Sequence, residues 1–489
     1  MIILKITTKK LYRKSKKIGD YFVYFNGYFE KELNKKISLK FKSRSIGFLD
    51  KDKKLIEISR CVENGLPLYY FLRHNEIVIS SHIKAFITKK PNLRENKKVV
   101  AELLNYGYVL PPSTIYRDIF KLSLLDKMVI NLNNGLNITT EKLFKNRGIE
   151  RNSIDISEYI EENIKFDKNR KYTLFFSGGL DSSILCTLMK KQKIKFNMFS
   201  TGFNFDVTDL IEKEYSLSAS KELNKKTNYV SFDFKKLILK IPEIIFITEE
   251  PISHVQTLLL YGLMKEQKNK MNQILINGQG ADGIFGTSSQ FRFINSQDEL
   301  DLPKINFFGL NFLKKGYLMN KERNKREFLE RLNGYNKIDR DFLVDIEGDV
   351  DNTINSWTKC ANSNSFSIIY PFFQKRFIRE VGKMDWKFRL KEPKHILRKL
   401  GRKNNLSEEL ITRKKGTFGP ISNNWGEYLF CILPISYTYF NKKKLRSFIS
   451  NKKNRYILWN IINYSIWRKI FIDGISPNDI KIQLNKLMK

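Results

Sequence analysis

The rhythm of apolar and polar positions changes once along the chain, at the polar, glycine-containing stretch 146–153. Before it, apolar runs are short and punctuated by turn residues. Residues 21–29 predict a strand, a turn at Asn26-Gly27 and a second strand, the spacing of a hairpin. Runs 55–60, 68–72 and 76–80 predict further short strands, with Asn64-Gly65 and His74-Asn75 between them. Residues 1–6 read as a strand, 99–106 as a short amphipathic helix and 127–132 as a late strand. Residues 1–145 are therefore expected to form a β-rich domain, with 146–153 as a linker.

Beyond the linker the pattern alternates. It predicts a helix over 154–166 capped by Ser153, a strand over 172–176, a helix over 182–190 and a strand over 196–203. A helix over 211–223 and a strand over 227–232 follow. Such alternation predicts a doubly wound parallel sheet with helices on both faces and ligands at the carboxyl ends of the strands. A long helix over 253–267 precedes an apolar strand from Gln273. Residues 287–360 are polar and helical, with a solvated charged stretch at 314–331. The tail, 441–489, is basic and aromatic-bearing with a helical run at 456–470.

Composition narrows the class. With 489 residues, 42% hydrophobic, the chain is expected to be globular with two or three domains. No stretch offers the roughly 18 apolar residues of a membrane span, and the N-terminus lacks a basic region before an apolar core, so a cytoplasmic protein is expected. Cys61, Cys186, Cys360 and Cys431 are scattered, as are the four histidines, which argues against a transition-metal site. The 88 Lys+Arg against 51 Asp+Glu give a net charge of +37. That excess suits an acidic partner, or reflects a coding bias that enriches Lys, Asn and Ile together. It is spread along the chain and decides no function by itself.

The candidate chemistry lies in two loops. Ser177, Gly178, Gly179, Leu180 and Asp181 join an apolar strand to a helix. A strand turning through two glycines into a helix makes a pocket of backbone N–H groups suited to phosphate, and Ser177 and Ser182 add hydroxyls. Asp181 repels phosphate unless a divalent cation bridges them, and oxygen ligands suit Mg²⁺. The second loop, Asn277-Gly-Gln-Gly-Ala-Asp282-Gly-Ile-Phe-Gly286, follows an apolar strand and carries one carboxylate.

The first loop lacks the Gly-Lys-Ser/Thr of a Walker P-loop. It resembles the Ser-Gly-Gly-x-Asp-Ser pyrophosphate loop of ATP pyrophosphatases, which cut ATP between the α and β phosphates. The second resembles the Ser-Gly-Glu-Gly-Ala-Asp-Glu-Leu-Phe-Gly block of asparagine synthetases, and Glu249-Glu250-Pro251 resembles their Asp-Glu-Pro. Further matches are 370–380, with Gln374 where the family has Asp, 394–400, and 406–418, which aligns Lys415 with the family's catalytic lysine. Segments 60–70, 79–86 and 113–122 resemble the second half of the family's glutaminase domain. The resemblance implies an N-terminal degenerate Ntn-glutaminase-like domain and, over 154–440, an adenine nucleotide α-hydrolase-like synthetase domain. Position 2 is Ile2, where glutamine-using members have the Cys nucleophile, so glutamine hydrolysis is not expected.

The resemblance also implies site roles. Asp282 joins Asp181 on Mg²⁺, Thr201 and Gly202 border the adenine, Gly278 lies beside the nucleotide, and Lys415 stabilises the charged transition state. Gln279 stands where asparagine synthetases have Glu and β-lactam synthetases have Tyr, and Gly283 replaces a second Glu. A neutral amide orients a substrate but is a poor base, which weakens ordinary asparagine synthesis. The expected reaction is ATP-dependent amide formation through an acyl-adenylate, as in β-lactam and lasso-peptide macrolactam synthetases. The expected partner is a small-molecule or peptide carboxylate, with an acidic peptide or carrier protein fitting the basic charge. The alternatives are asparagine synthesis from ammonia, amidation of a surface sugar, tRNA modification and a non-catalytic nucleotide-binding scaffold. The blocks 277–286 and 413–418 disfavour a nucleic-acid substrate.

Overall fold

The computed structural model describes residues 3–8, 16–18, 20–25, 28–31, 36–41, 44–73, 75–87, 93–142, 155–204, 207–267, 273–286, 310–313, 317, 342, 344–384, 391–413, 423–451, 454 and 457–488. The chain divides into two compact units. The first comprises Met1–Val62, Leu66–Leu103 and Val109–Asn146. The second comprises Glu63–Gly65, Leu104–Tyr108 and Arg147–Lys489.

Among the described residues the first unit has twelve strands: β1 (Ile3–Thr7), β2 (Lys16–Ile18), β3 (Tyr21–Phe25), β4 (Tyr28–Lys31), β5 (Lys36–Phe41), β6 (Arg44–Asp50), β7 (Leu55–Ser59), β8 (Tyr69–Arg73), β9 (Glu76–Ser80), β10 (Phe120–Lys121), β11 (Asp126–Asn131) and β12 (Asn137–Lys142). They form two antiparallel sheets, ordered β10-β8-β9-β1-β3-β2 and β12-β11-β7-β6-β5-β4. Alternate residues of both sheets, among them Leu4, Ile6, Val23 and Ile77 from one and Leu39, Leu49, Ile56 and Met128 from the other, share one buried core. The hairpin expected over 21–29 is corrected: β3 pairs with β1 and β2, whereas β4 pairs with β5 in the other sheet. Apolar alternation is the same for either pairing, so it fixes a face but not a neighbour.

The second unit holds a five-stranded parallel sheet of β13 (Tyr172–Phe175), β14 (Phe196–Phe203), β15 (Asn228–Phe232), β16 (Ile274–Ile276) and β17 (Ser367–Ile369). Its order is β15-β14-β13-β16-β17. The chain winds outward from β13 in one direction and then returns to β13's other side with β16. The crevice between the ends of β13 and β16 is thus the switch point where doubly wound sheets bind ligands. Helix Ile156–Asn163 is capped by Asp155, whose side chain accepts from the Ser157 N–H, whereas the expected cap Ser153 lies outside the described residues. The expected 253–267 helix is shorter, Gln256–Glu266, and a further helix, Ile241–Thr248, precedes it with Pro242 in its first turn. Helix Leu458–Phe471 packs against Ile241–Thr248, so part of the 441–489 stretch completes this unit's core. No helix among the described residues is long and apolar enough to cross a membrane.

Candidate active site

The site begins where β13 ends. Phe176 N–H still bonds Phe199 O at 2.7 Å, and then the backbone turns. Gly178 has φ +74°, and a Cβ there would lie 2.6 Å from Ser216 Cα and 2.7 Å from Tyr215 O of helix Val207–Glu222. Only glycine meets both the left-handed backbone and that approach. Helix Leu180–Lys191 starts at Gly179, which has no capping side chain, so its first N–H groups are available to an anion. Ser182 Oγ accepts from Ser177 N–H at 3.3 Å and donates to Gly179 O at 3.0 Å, and Ser177 Oγ accepts from Gly179 N–H at 3.3 Å. The two hydroxyls shape the loop from within.

On the β14 side, Thr201 and Gly202 lie at the strand's carboxyl end. A Cβ on Gly202 would lie 2.3 Å from the Tyr229 hydroxyl. Thr201 Oγ1 is buried and bonds nothing among the described residues, leaving a polar group for a ligand edge. On the other side, β16 ends in Asn277, whose Oδ1 accepts from the Gln279 N–H at 2.7 Å. Gly278 lies directly against the first loop: a Cβ there would be 3.3 Å from Asp181 Cβ. Gly280, with φ +97°, lets the loop pass Phe373, whose ring would be 2.9 Å from a Cβ. The turn opens helix Ala281–Phe285, which presents Asp282 in its first turn.

Asp181 and Asp282 converge on one cation. Lys394 Nζ lies 2.7 Å from Asp181 Oδ2 and 2.6 Å from Asp282 Oδ1. Burial pulls the Lys394 pKa down, but the two carboxylates outweigh it and hold the ammonium above its ordinary value. The oxygens therefore lie no further apart than the sum of those two distances. Mg²⁺ takes six oxygens at about 2.0–2.1 Å, and two carboxylates held against one cationic group are the kind of donors it would use. The donor set fits Mg²⁺ on both counts, oxygen chemistry and convergence.

The sequence placed Lys394 in a matching segment but gave it no role. It precedes helix His395–Lys403 in a left-handed conformation, φ +56°, and its N–H bonds Gly286 O at 3.2 Å. A lysine ahead of a basic helix carries no pattern that tells a free surface charge from one held between two carboxylates. Gln374 is tied locally, donating to Pro371 O and accepting from Arg376 Nε, each at 2.7 Å. Gly283 has no room for a larger residue, because a Cβ would lie 2.7 Å from Val350 Cγ2. Lys415 lies outside the described residues. Arg413, just before it, stacks its guanidinium 4.6 Å from the Tyr215 ring and donates to Tyr215 O at 3.2 Å. Tyr215 is the residue that also abuts Gly178.

Several known proteins resemble this chain. An asparagine synthetase [glutamine-hydrolyzing] of Bacillus subtilis is 20% identical over 474 residues, covering 83% of this chain and 74% of the relative. A putative asparagine synthetase [glutamine-hydrolyzing] of Methanocaldococcus jannaschii is 28% identical over 256 residues, 48% of each chain. Among solved structures, a U34-tRNA thiolase from Methanococcus maripaludis aligns over 53% of this chain and 82% of its own at 15% identity, with a TM-score of 0.20. That is too low for the superposition to carry an argument. The family model for asparagine synthase matches residues 163–468, which include both loops, Lys394 and Arg413, and the chain belongs to that family.

Proposed function

We propose that this ATP-utilising ligase adenylates a substrate carboxylate and passes the acyl group to an amine. The observation that carries this reading is the shared contact of Asp181 and Asp282 with a single cationic group at the switch point of the sheet. In this reading the Ser177–Gly179 backbone and the head of helix Leu180–Lys191 bind the phosphates, and Thr201 and Gly202 face the base. Asp181 and Asp282 hold Mg²⁺, which supplies charge neutralisation on the phosphates when bound. A carboxylate oxygen attacks the α-phosphorus, the α–β bridging oxygen leaves with pyrophosphate, and the amine then displaces AMP. Lys394 and Lys415 stabilise negative charge as it develops. Gln279, at the lip of the second loop, orients the acyl group through its amide.

The filled space around Gly283 supports a substrate other than aspartate. Asparagine synthetases carry Glu at that position, and here Val350 occupies the volume a side chain would need. In this reading the amine belongs to the substrate itself or to a second small molecule, as in ring-closing amide synthetases. The test is ATP–pyrophosphate exchange over a panel of amino acids and short peptides, with AMP measured alongside. Exchange that depends on a carboxylate and falls at least about 100-fold in Asp181→Asn and Asp282→Asn is expected. Release of ADP and phosphate instead of AMP would overturn the reading.

A further inference from the structure

Beside the second loop stands a histidine–aspartate pair. Gly283 packs on Val350, and the preceding residue, Asp349, places Oδ1 2.5 Å from His254 Nε2. His254 lies just before helix Gln256–Glu266, which leads into β16. Asp349 lies in a π-helical run, Asp345–Val350, at the head of helix Asp351–Ser363, which leads into β17. Helices that return the chain to the start of a parallel strand begin at the carboxyl edge of the sheet. Both residues therefore sit on the edge that carries the Ser177 and Gly278 loops. Wide helical turns of this kind are frequent at functional sites.

The pair is open to a ligand, with side chains 35% and 43% exposed. Residues Leu104–Tyr108 of the same unit flank it: a Cβ at Gly107 would lie 3.5 Å from Ser253, and one at Gly348 only 2.3 Å from the Tyr108 ring. Asp349 holds the ring through Nε2. Among the described residues Nδ1 makes no hydrogen bond. A carboxylate on one ring nitrogen fixes the proton there and leaves a lone pair on the other.

We propose that His254 is the general base that accepts the proton of the attacking amine, with Asp349 as its positioning residue. This rests on the adenylation reading above. The amine nitrogen forms a bond to the acyl carbon, the bond from that carbon to the AMP oxygen breaks and AMP leaves with its electron pair. The nitrogen's proton passes to His254 Nδ1. Gln279, an amide, cannot take that proton. Burial pulls the His254 pKa down and the Asp349 carboxylate more than restores it, leaving the imidazole a stronger base than a free histidine.

The full chain is assayed at about pH 8 with Mg·ATP, the same panel of amino acids and short peptides, radiolabelled pyrophosphate and either ammonium chloride, as a surrogate for the attacking amine, or hydroxylamine. Hydroxylamine is neutral there and needs no base. His254→Gln is expected to keep pyrophosphate exchange and hydroxamate formation within about twofold, while amide formation from ammonium falls about 100-fold. Asp349→Asn should show the same split at about tenfold. Equal loss with both nucleophiles, or no loss with ammonium, overturns the assignment. If the wild type shows no exchange, the adenylation reading has failed, and nitrogen NMR decides the pair by itself. At about pH 9 the His254 signal, identified by its absence in His254→Gln, should show a bare Nδ1 and a protonated Nε2, and Asp349→Asn should shift that balance. A proton on Nδ1 excludes the base role.

Discussion

Lys394 holds its ammonium between two carboxylates, and removing that charge should free both for another cation. Lys394→Met is expected to bind Mg²⁺ or Mn²⁺ in the absence of nucleotide at least about tenfold more tightly than the wild type, a change of about 1.4 kcal/mol by calorimetry. Unchanged affinity would mean that Asp181 and Asp282 do not act on one ion. The raised pKa of Lys394 works in one direction only. Its stabilising charge is fully present below the ordinary lysine value and is lost only in stronger alkali, so no neutral-range dependence should arise from it. Asp155 gives the opposite case. Burial raises its pKa, but hydrogen bonds from Lys399, the Ser157 hydroxyl and the Ser157 N–H bring it down to about 2. Its contribution is present above the ordinary carboxylate value of 3.8 and fades as pH falls towards 2. Asp155→Ala should cost about 1 kcal/mol at neutral pH, and the deficit should shrink in acid, by denaturant titration.

At the scale of elements, the loops are where the sequence was most informative. Two glycines between an apolar strand and an apolar helix mark a turn that needs a left-handed backbone and a close approach, so the Ser177 turn was legible from residue types alone. Its tolerance is correspondingly narrow. Gly178→Ala should destabilise the chain by about 2 kcal/mol or more, because both a left-handed backbone and a backbone approach at 2.6 Å forbid the methyl. Gly283→Ala should be damaging for a different reason, a side-chain clash, and Val350→Ala in the same chain should relieve part of it. Additive losses in thermal melts of that double variant would deny the contact. The pairing of β3 and β4 was not legible, because alternation records burial and not partner. Nor was the His254–Asp349 pair, whose members stand far apart in the chain and become neighbours only when two helices return to the same sheet edge.

At the scale of the whole molecule, two electrostatic features work against stability unless they are compensated. Glu249 and Lys359 form an ion pair at 2.8 Å with side chains 0% and 1% exposed, and Lys359 also donates to Thr248 O. Lys359→Met strips a buried carboxylate of its cation and should cost about 3–5 kcal/mol, whereas adding Glu249→Gln should recover much of that loss. The formal charge of +37 acts at longer range. Self-repulsion on that scale is screened by salt, so the thermal midpoint should rise as NaCl increases from about 0.02 M to about 0.3 M. A midpoint that falls would show that attractive surface pairs dominate. The parallel sheet was legible from strand–helix alternation, but its order was not, since the return from β15 across to the far side of β13 leaves no local mark on the residues.

That return has a bearing on biogenesis. Asp181 emerges with β13, but its companion carboxylate arrives only after β14 and β15 have been laid down on one flank and β16 has docked on the other. A half-synthesised or mispaired chain can display the Ser177 turn and still lack the second acidic group. On the adenylation reading proposed above, nucleotide capture would therefore report that the sheet has closed around its central strand.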